Sequence, residues 1–216
     1  MGRVVLVVHD HGRPQPPPAP LREIVGRPGV RPAMLTALAS FGVMVSVMNL
    51  TGYVVVEHRH HEQHDVFPIV GAHVLGMFAL VLVVGAVIDR VGRRPALSAG
   101  LLVMAISCAG LTWLESVPLI ALLLFGLGVG WNISFVAATA QLADLTAPGE
   151  RGKLLGFNDL LAALLGAALA LLGGAVLDGF GVAALALGAA ALVVLPTLWI
   201  TGRRGGSATP PARIPA

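Results

Sequence analysis

Gly85-Ala86-Val87-Ile88-Asp89-Arg90-Val91-Gly92-Arg93-Arg94-Pro95 is the stretch on which the fold turns. An apolar run over residues 66–88 leads into it and a second, over 96–114, leads out. Each run is long enough to cross the hydrocarbon core of a bilayer, about 30 Å thick, as a helix. The segment between them holds one acid, three arginines and a glycine, so it is a short polar turn between two membrane crossings.

Four more crossings are expected outward from this pair. They cover residues 33–56, 118–143, 154–177 and 182–200, separated by polar stretches at 57–65, 115–117, 144–153 and 178–181. Pro118 suits the first turn of its helix. The composition agrees: of 216 residues 56% are hydrophobic and only 12% charged, with a mean hydropathy of +0.85. A water-soluble domain carries about twice that share of charge. Twenty-seven glycines and abundant alanine fit helices that approach closely in lipid, where packing rather than expulsion from water drives association. The expected fold is an all-α integral membrane bundle of six transmembrane helices over residues 32–202. It is preceded by a segment over 1–31 and followed by a basic tail over 203–216. The stretch Val4–Val8 is too short for the core of a signal peptide.

Arginine and lysine fix the expected orientation, because they collect on the cytoplasmic side. Arg3, Arg13, Arg22, Arg27, Arg31, Arg90, Arg93, Arg94, Arg151, Lys153, Arg203, Arg204 and Arg213 fall on one side, and Arg59 alone on the other. Both termini are therefore expected in the cytoplasm of a multi-pass plasma-membrane protein. The sequence pI near 10 follows from these helix-end arginines, so no nucleic-acid partner is implied. Cys108 is the single cysteine, which excludes an internal disulfide. No phosphate-binding glycine loop is present, and the glycines at 126, 128 and 130 have the wrong spacing for a dinucleotide fingerprint. Those glycines, and the small-residue faces Gly166/Ala170 and Ala170/Gly174, read as helix packing. No cofactor and no catalytic residue are expected.

The turn also resembles the signature loop of the major facilitator superfamily: Gly, three mostly apolar residues, Asp, a basic residue, any residue, Gly and two basic residues. It stands here, as there, between the second and third helix of a six-helix unit. Gly126–Asn132, Glu150-Arg151 and Gly156-Phe157-Asn158-Asp159 look like the carboxyl-terminal half of bacterial members. Pro20-Leu21-Arg22-Glu23-Ile24 looks like the end of the linker between the halves, and residues 21–25 are expected to form a short interfacial helix. The resemblance implies half of a secondary transporter that moves a small solute by alternating access, driven by an ion gradient such as protons. It implies that Gly85, Asp89, Arg90, Gly92, Arg93 and Arg94 form a cytoplasmic gate motif, Asp89 pairing with basic residues. A family member has two six-helix halves with substrate between them. The implied partners are therefore membrane lipid, a second six-helix half (another chain or a second copy), and a small-molecule substrate the sequence does not specify. A non-transporting remnant or structural membrane protein of the same fold is the alternative.

Polar side chains inside apolar runs are candidate functional residues, because burying them in lipid is costly. Asn49 and His73 fall in the outer halves of the first and second crossings. His73 is read as a hydrogen-bonded packing residue or a proton relay. Asn132, beside Trp131 as a possible aromatic wall, is read as a substrate contact or an interhelical hydrogen bond. Gln141, Asp144, Asn158 and Asp159, with Arg151 nearby, are expected to group at the cytoplasmic helix ends. Asp159 is placed close to a helix N-terminus, where a carboxylate is favoured. Helix capping and substrate or proton coupling are both open for this group. On the opposite side, Glu57–Asp65 carries His58, His60, His61 and His64. Imidazoles and carboxylates bind zinc, copper or nickel, and histidine also responds to pH, but Arg59 opposes a cation and no fixed ligand pattern is present. A solvated loop is the simpler reading, and an extracytoplasmic metal-binding protein the third functional one.

Overall fold

Residues 18–202 of the chain are described in a computed structural model, and all regular structure among them is helical. The segment before Pro18 and the tail from Arg203 lie outside the described residues. A short helix α1 (Leu21–Gly26) leads to α2 (Val30–Tyr53), whose N-cap Gly29 sits at φ 89°, a left-handed conformation that glycine enters without strain. At 24 residues α2 is ~36 Å long, and it continues as a π-helical turn, Val54–His58. A 3-10 turn (Gln63–Asp65) opens α3 (Val66–Phe78), followed by α4 (Val81–Val91), α5 (Arg93–Gly110), α6 (Val117–Asp144) and α7 (Pro148–Gly202).

Helices α3 and α4 form one crossing bent by 44°. Neither suffices alone, because 13 residues reach only ~20 Å and 11 only ~17 Å. The second crossing is thus broken where an unbroken helix was expected. At 55 residues α7 would be ~80 Å, far beyond a bilayer. Gly181, at φ 79° and ψ −179°, divides it into legs over 148–180 and 182–202. Gly173 on the first leg lies against Leu185 on the second, so the legs pack side by side. By length and apolarity Val30–His58, Val117–Asp144 and Pro148–Leu198 each qualify to span a membrane, with α3/α4 as a bent fourth. Counting α7 as two legs and adding α5, whose 18 residues open with Arg93 and Arg94, gives the six crossings of the expected half-bundle.

Several boundaries differ from expectation. The third crossing ends at Gly110, and residues 111–113 form a turn. The polar stretch 144–153 is not a loop: only Leu145–Ala147 connect the helices, and Pro148 starts α7. Proline suits a helix start because its missing N–H would be unpaired there anyway. Asp178–Phe180 stay helical and Gly181 alone breaks the helix.

Helix α6 is the hub, packing against α2, α3 and α5. Glycines make this possible. A Cβ added at Gly128 would overlap the His73 carbonyl of α3, and one at Gly76 would overlap the Phe125 carbonyl of α6. One added at Gly130 would fall 2.7 Å from the Gly100 carbonyl of α5. Two backbone-to-backbone crossings therefore meet on neighbouring faces of α6, the close approach that small residues permit in lipid. Outward-facing Phe67, Leu82, Ile106, Leu171 and Phe180 are more than 60% exposed within the chain, which suits a surface solvated by acyl chains.

Candidate functional site

The signature turn works because Gly92 adopts φ 96° and ψ 155°, ending α4 and starting α5 within one residue. That reversal places Arg93 between two carboxylates. Its Nη1 donates to Asp89 Oδ1 at 2.5 Å and its Nε to Asp144 Oδ2 at 3.2 Å, so one guanidinium ties α4, α5 and α6 together. The Asp89 hydrogen bond, with Asp144 second, raises the Arg93 pKa further above its ordinary value. Arg90 and Arg94 are exposed, and among the described residues neither makes a hydrogen bond or ion pair. A Cβ added at Gly85 would meet nothing within 4 Å, so packing inside this chain does not demand a glycine there.

A second clasp closes the same end. Arg27, just after α1, makes a two-pronged bond to Glu150 in the first turn of α7, Nη1 to Oε2 at 2.5 Å and Nη2 to Oε1 at 2.9 Å. Glu150 also accepts the backbone N–H groups of Ala147 and Ala19, at 3.2 and 3.3 Å, and Lys153 Nζ reaches the Ala19 carbonyl at 3.3 Å. The Arg27 guanidinium, followed by these N–H donors, holds the Glu150 carboxyl down at about 2. Beneath the clasp Ile24 is fully buried against a core containing Met34, Leu142 and Leu154. Opposite charges before one helix and at the start of another are visible in the sequence, but a pairing across 123 positions is not.

The interior candidates do not form one cluster. His73 and Asn132 share the α3–α6 seam. His73 Nδ1 hydrogen-bonds the Leu124 carbonyl at 2.9 Å, and Asn132 Nδ2 donates to the Met77 carbonyl. Both residues are buried, yet His73 Nε2 and Asn132 Oδ1 lack partners. Asn49 is exposed and bonds only Val45 of its own helix. Asn158 is buried and donates to neighbouring Asp159, which is exposed. The expected grouping at these helix ends does not form as drawn: Asp144 goes to Arg93, Arg151 Nε caps the Ala143 carbonyl at 3.0 Å, and Gln141 Oε1 is buried and unpaired. Because α7 starts at Pro148, Asp159 lies eleven residues in, beyond the first turn where the helix dipole acts.

Trp131 belongs to a row of rings the sequence reading touched only at one point. Phe41 of α2 lies 5.8 Å from Phe135, Phe135 stacks on Trp131 at 5.1 Å and 12°, and Trp131 meets Phe78 of α3 edge-on at 6.5 Å. The i,i+4 spacing of Trp131 and Phe135 was the available signal.

At the opposite end the histidines disperse. His58 packs edge-on against Tyr53, His61 bonds the Glu115 carbonyl at 2.7 Å, and His64 lies near Glu62 and Asp65. His60 adopts φ 57°. Among the described residues no three histidine, cysteine or carboxylate groups are arranged to hold a metal ion. The ordered element here is Arg59, nearly buried, which donates to the Leu111 carbonyl at 2.6 Å and pairs with Glu115 at 3.1 Å. It roofs a cavity of about 40 Å³ lined by Cys108, Ile120, Leu124 and Val182 among others.

Helices of this length and apolarity, fastened by charge clasps outside the apolar zone, define a multi-pass membrane protein. The chain belongs to the Major Facilitator Superfamily, whose family model matches residues 32–215. It is 34% identical over 155 residues to a riboflavin transporter, RfnT, of Brucella anthropi, covering 71% of this chain and 37% of that protein. It is 36% identical over 166 residues to an uncharacterized MFS-type transporter, YdeG, of Bacillus subtilis, covering 74% and 38%. A second uncharacterized transporter of Bacillus subtilis, YddS, is 32% identical over 165 residues, covering 76% and 37%. The chain thus spans under two fifths of the length of the curated relatives it matches.

Proposed function

We propose that this chain forms one half of a secondary transporter that moves a small solute across the plasma membrane by alternating access. The carrying observation is Arg93 held between Asp89 and Asp144 at the Gly92 turn, which makes the ends of three helices move as one body. In this reading the Arg93 end and both termini are cytoplasmic, since Arg90, Arg94, Arg151 and Lys153 share that end and Arg59 is alone at the other. A second six-helix half, from another chain or a second copy, supplies the opposing wall, and unpaired Arg90 and Arg94 meet that half or anionic headgroups. The open space beside Gly85 supports a close approach there. His73 and Asn132 lie on the seam that flexes, and an ion gradient, in the first instance protons, supplies the energy.

Riboflavin, named for the Brucella anthropi relative, is the first solute to test. The experiment is uptake into proteoliposomes holding the full chain with a candidate second half, with and without an inward proton gradient. Gradient-dependent uptake that requires both halves is expected. Background uptake of riboflavin and of a panel of small solutes, with every partner including a second copy, removes the carrier reading. Cysteine labelling at position 94 from the outside would overturn the orientation.

A further inference from the structure

At the end opposite the Arg93 turn, a charge is folded over an apolar hollow. The cavity of about 40 Å³ roofed by Arg59 lies between the ends of four helical segments. Val55 of the π-turn after α2, Leu111 just after α5, Ile120 near the start of α6 and Val182 at the start of the second leg of α7 each line it. It is partly open rather than sealed. Thr51 and Cys108 are its other polar lining residues, and the Thr51 hydroxyl is already committed to the Val47 carbonyl of its own helix, at 2.8 Å. The walls therefore offer carbon to whatever enters, and the roof offers a guanidinium.

The Arg59 side chain is 9% exposed, and its backbone N–H is fixed to the Val54 carbonyl at 2.9 Å. A guanidinium carries five N–H donors. One is used on the Leu111 carbonyl at 2.6 Å, and the Glu115 carboxylate faces another nitrogen at 3.1 Å. The Glu115 side chain is 80% exposed, so the counter-charge stands in water, and pairs of that kind hold weakly. A buried cation gains more from an anion that shares its dry surroundings. A carboxylate on a short apolar tail meets both demands, its head replacing Glu115 on Arg59 and its tail filling the cavity. Volume sets the length of the tail: an apolar cavity of about 150 Å³ takes a benzene ring, so this one admits about two or three carbons. A lipid acyl chain is far too long for it.

We infer that this cavity is a binding site for a short aliphatic carboxylate of the size of butyrate. It lies inside one six-helix half, needs no second half, and stands apart from the carrier reading. The probe is sodium butyrate, observed by saturation-transfer NMR against the full chain in phosphatidylcholine nanodiscs, with empty nanodiscs as the reference. Saturable binding is expected, about fourfold tighter for each methylene from acetate to butyrate and level beyond it. Butyramide keeps the shape without the charge and should bind at least about tenfold more weakly. Arg59→Gln should weaken butyrate by a similar factor. Ala186→Leu fills the cavity and leaves Arg59 in place, and it should also abolish binding, which keeps the test open should the first variant not fold. Glu115→Gln removes the competing carboxylate and should tighten butyrate about two- to fivefold, an effect that partitioning into lipid would not give. No saturable signal, equal binding of butyramide, weaker binding by Glu115→Gln, or parent-like binding by folded Arg59→Gln and Ala186→Leu overturns the site. Butyrate binding abolished by phosphatidylglycerol in the nanodisc would assign Arg59 to a lipid headgroup and overturn the free-solute assignment.

Discussion

Arg93 joins Asp89, one turn earlier across the Gly92 reversal, to Asp144 at the far end of α6. Exposed ion pairs contribute only about 0–1 kcal/mol each to stability, so in the transport reading proposed above the value of this one lies in fixing which helices move together. Arg93→Ala should leave thermal unfolding in detergent nearly unchanged while reducing uptake by about tenfold or more, the scale of a typical coupling energy. Arg93→Lys should recover little, because a point charge lacks the fork that reaches two carboxylates. A large loss of stability with either variant would show that the contact is structural.

Glu150 gives a pH signature. Its folded pKa, near 2, lies below the ordinary 4.5, so its contribution is complete above about 4.5 and is lost as pH falls toward 2. Protection of the amides of residues 19–29, taken relative to the intrinsic exchange rate at each pH, should be high at neutral pH and fall through that window. Glu150→Gln should show the low protection already at pH 7, with protection at the α3–α6 seam unaffected.

The two glycine positions should separate packing from assembly. Gly128→Leu should destabilise the chain by at least about 1–3 kcal/mol, because the added atoms meet α3 backbone rather than a side chain that can move. Gly85→Ala has open space and should fold like the parent. Reduced co-purification of Gly85→Ala with a second half would locate the contact between halves at this turn.

Gly181→Ala places a side chain at φ 79°, ψ −179°, a region essentially reserved for glycine. A cost of about 1–3 kcal/mol is expected, read as a lower unfolding temperature. Gly188→Ala is the control, since it lies in helix with nothing within 4 Å of the new methyl.

Micromolar zinc should leave the full chain unaltered in melting temperature, because His58, His60, His61 and His64 do not converge on a common point with a third ligand. A zinc-dependent rise of several degrees would restore the metal reading of that loop.

The crossings were legible because a bilayer imposes a length on every apolar run and the arginines mark where each run must stop. Helix ends were less so. Pro148 and Gly149 look like loop residues in isolation, yet proline is equally at home in a first helical turn, and that single ambiguity misplaced Asp159. The break at Ala79–Leu80 carries neither glycine nor proline, so no local signal announces it. A side chain fifty-five residues later, Asn132, takes the Met77 carbonyl there. His73 and Asn132 stood out by being polar among apolar neighbours, but scarcity identifies a residue without naming its partner. Arg27 and Glu150 show the same limit from the other direction: each is an ordinary surface charge until the fold brings them within 2.5 Å.

That clasp has a mechanical corollary. Ala19 is held by both its N–H and its carbonyl to the foot of α7, although the next crossing in sequence is α2. Force applied to the polypeptide ahead of Ala19 is therefore delivered first to α7, bypassing the helix to which the chain is covalently closer.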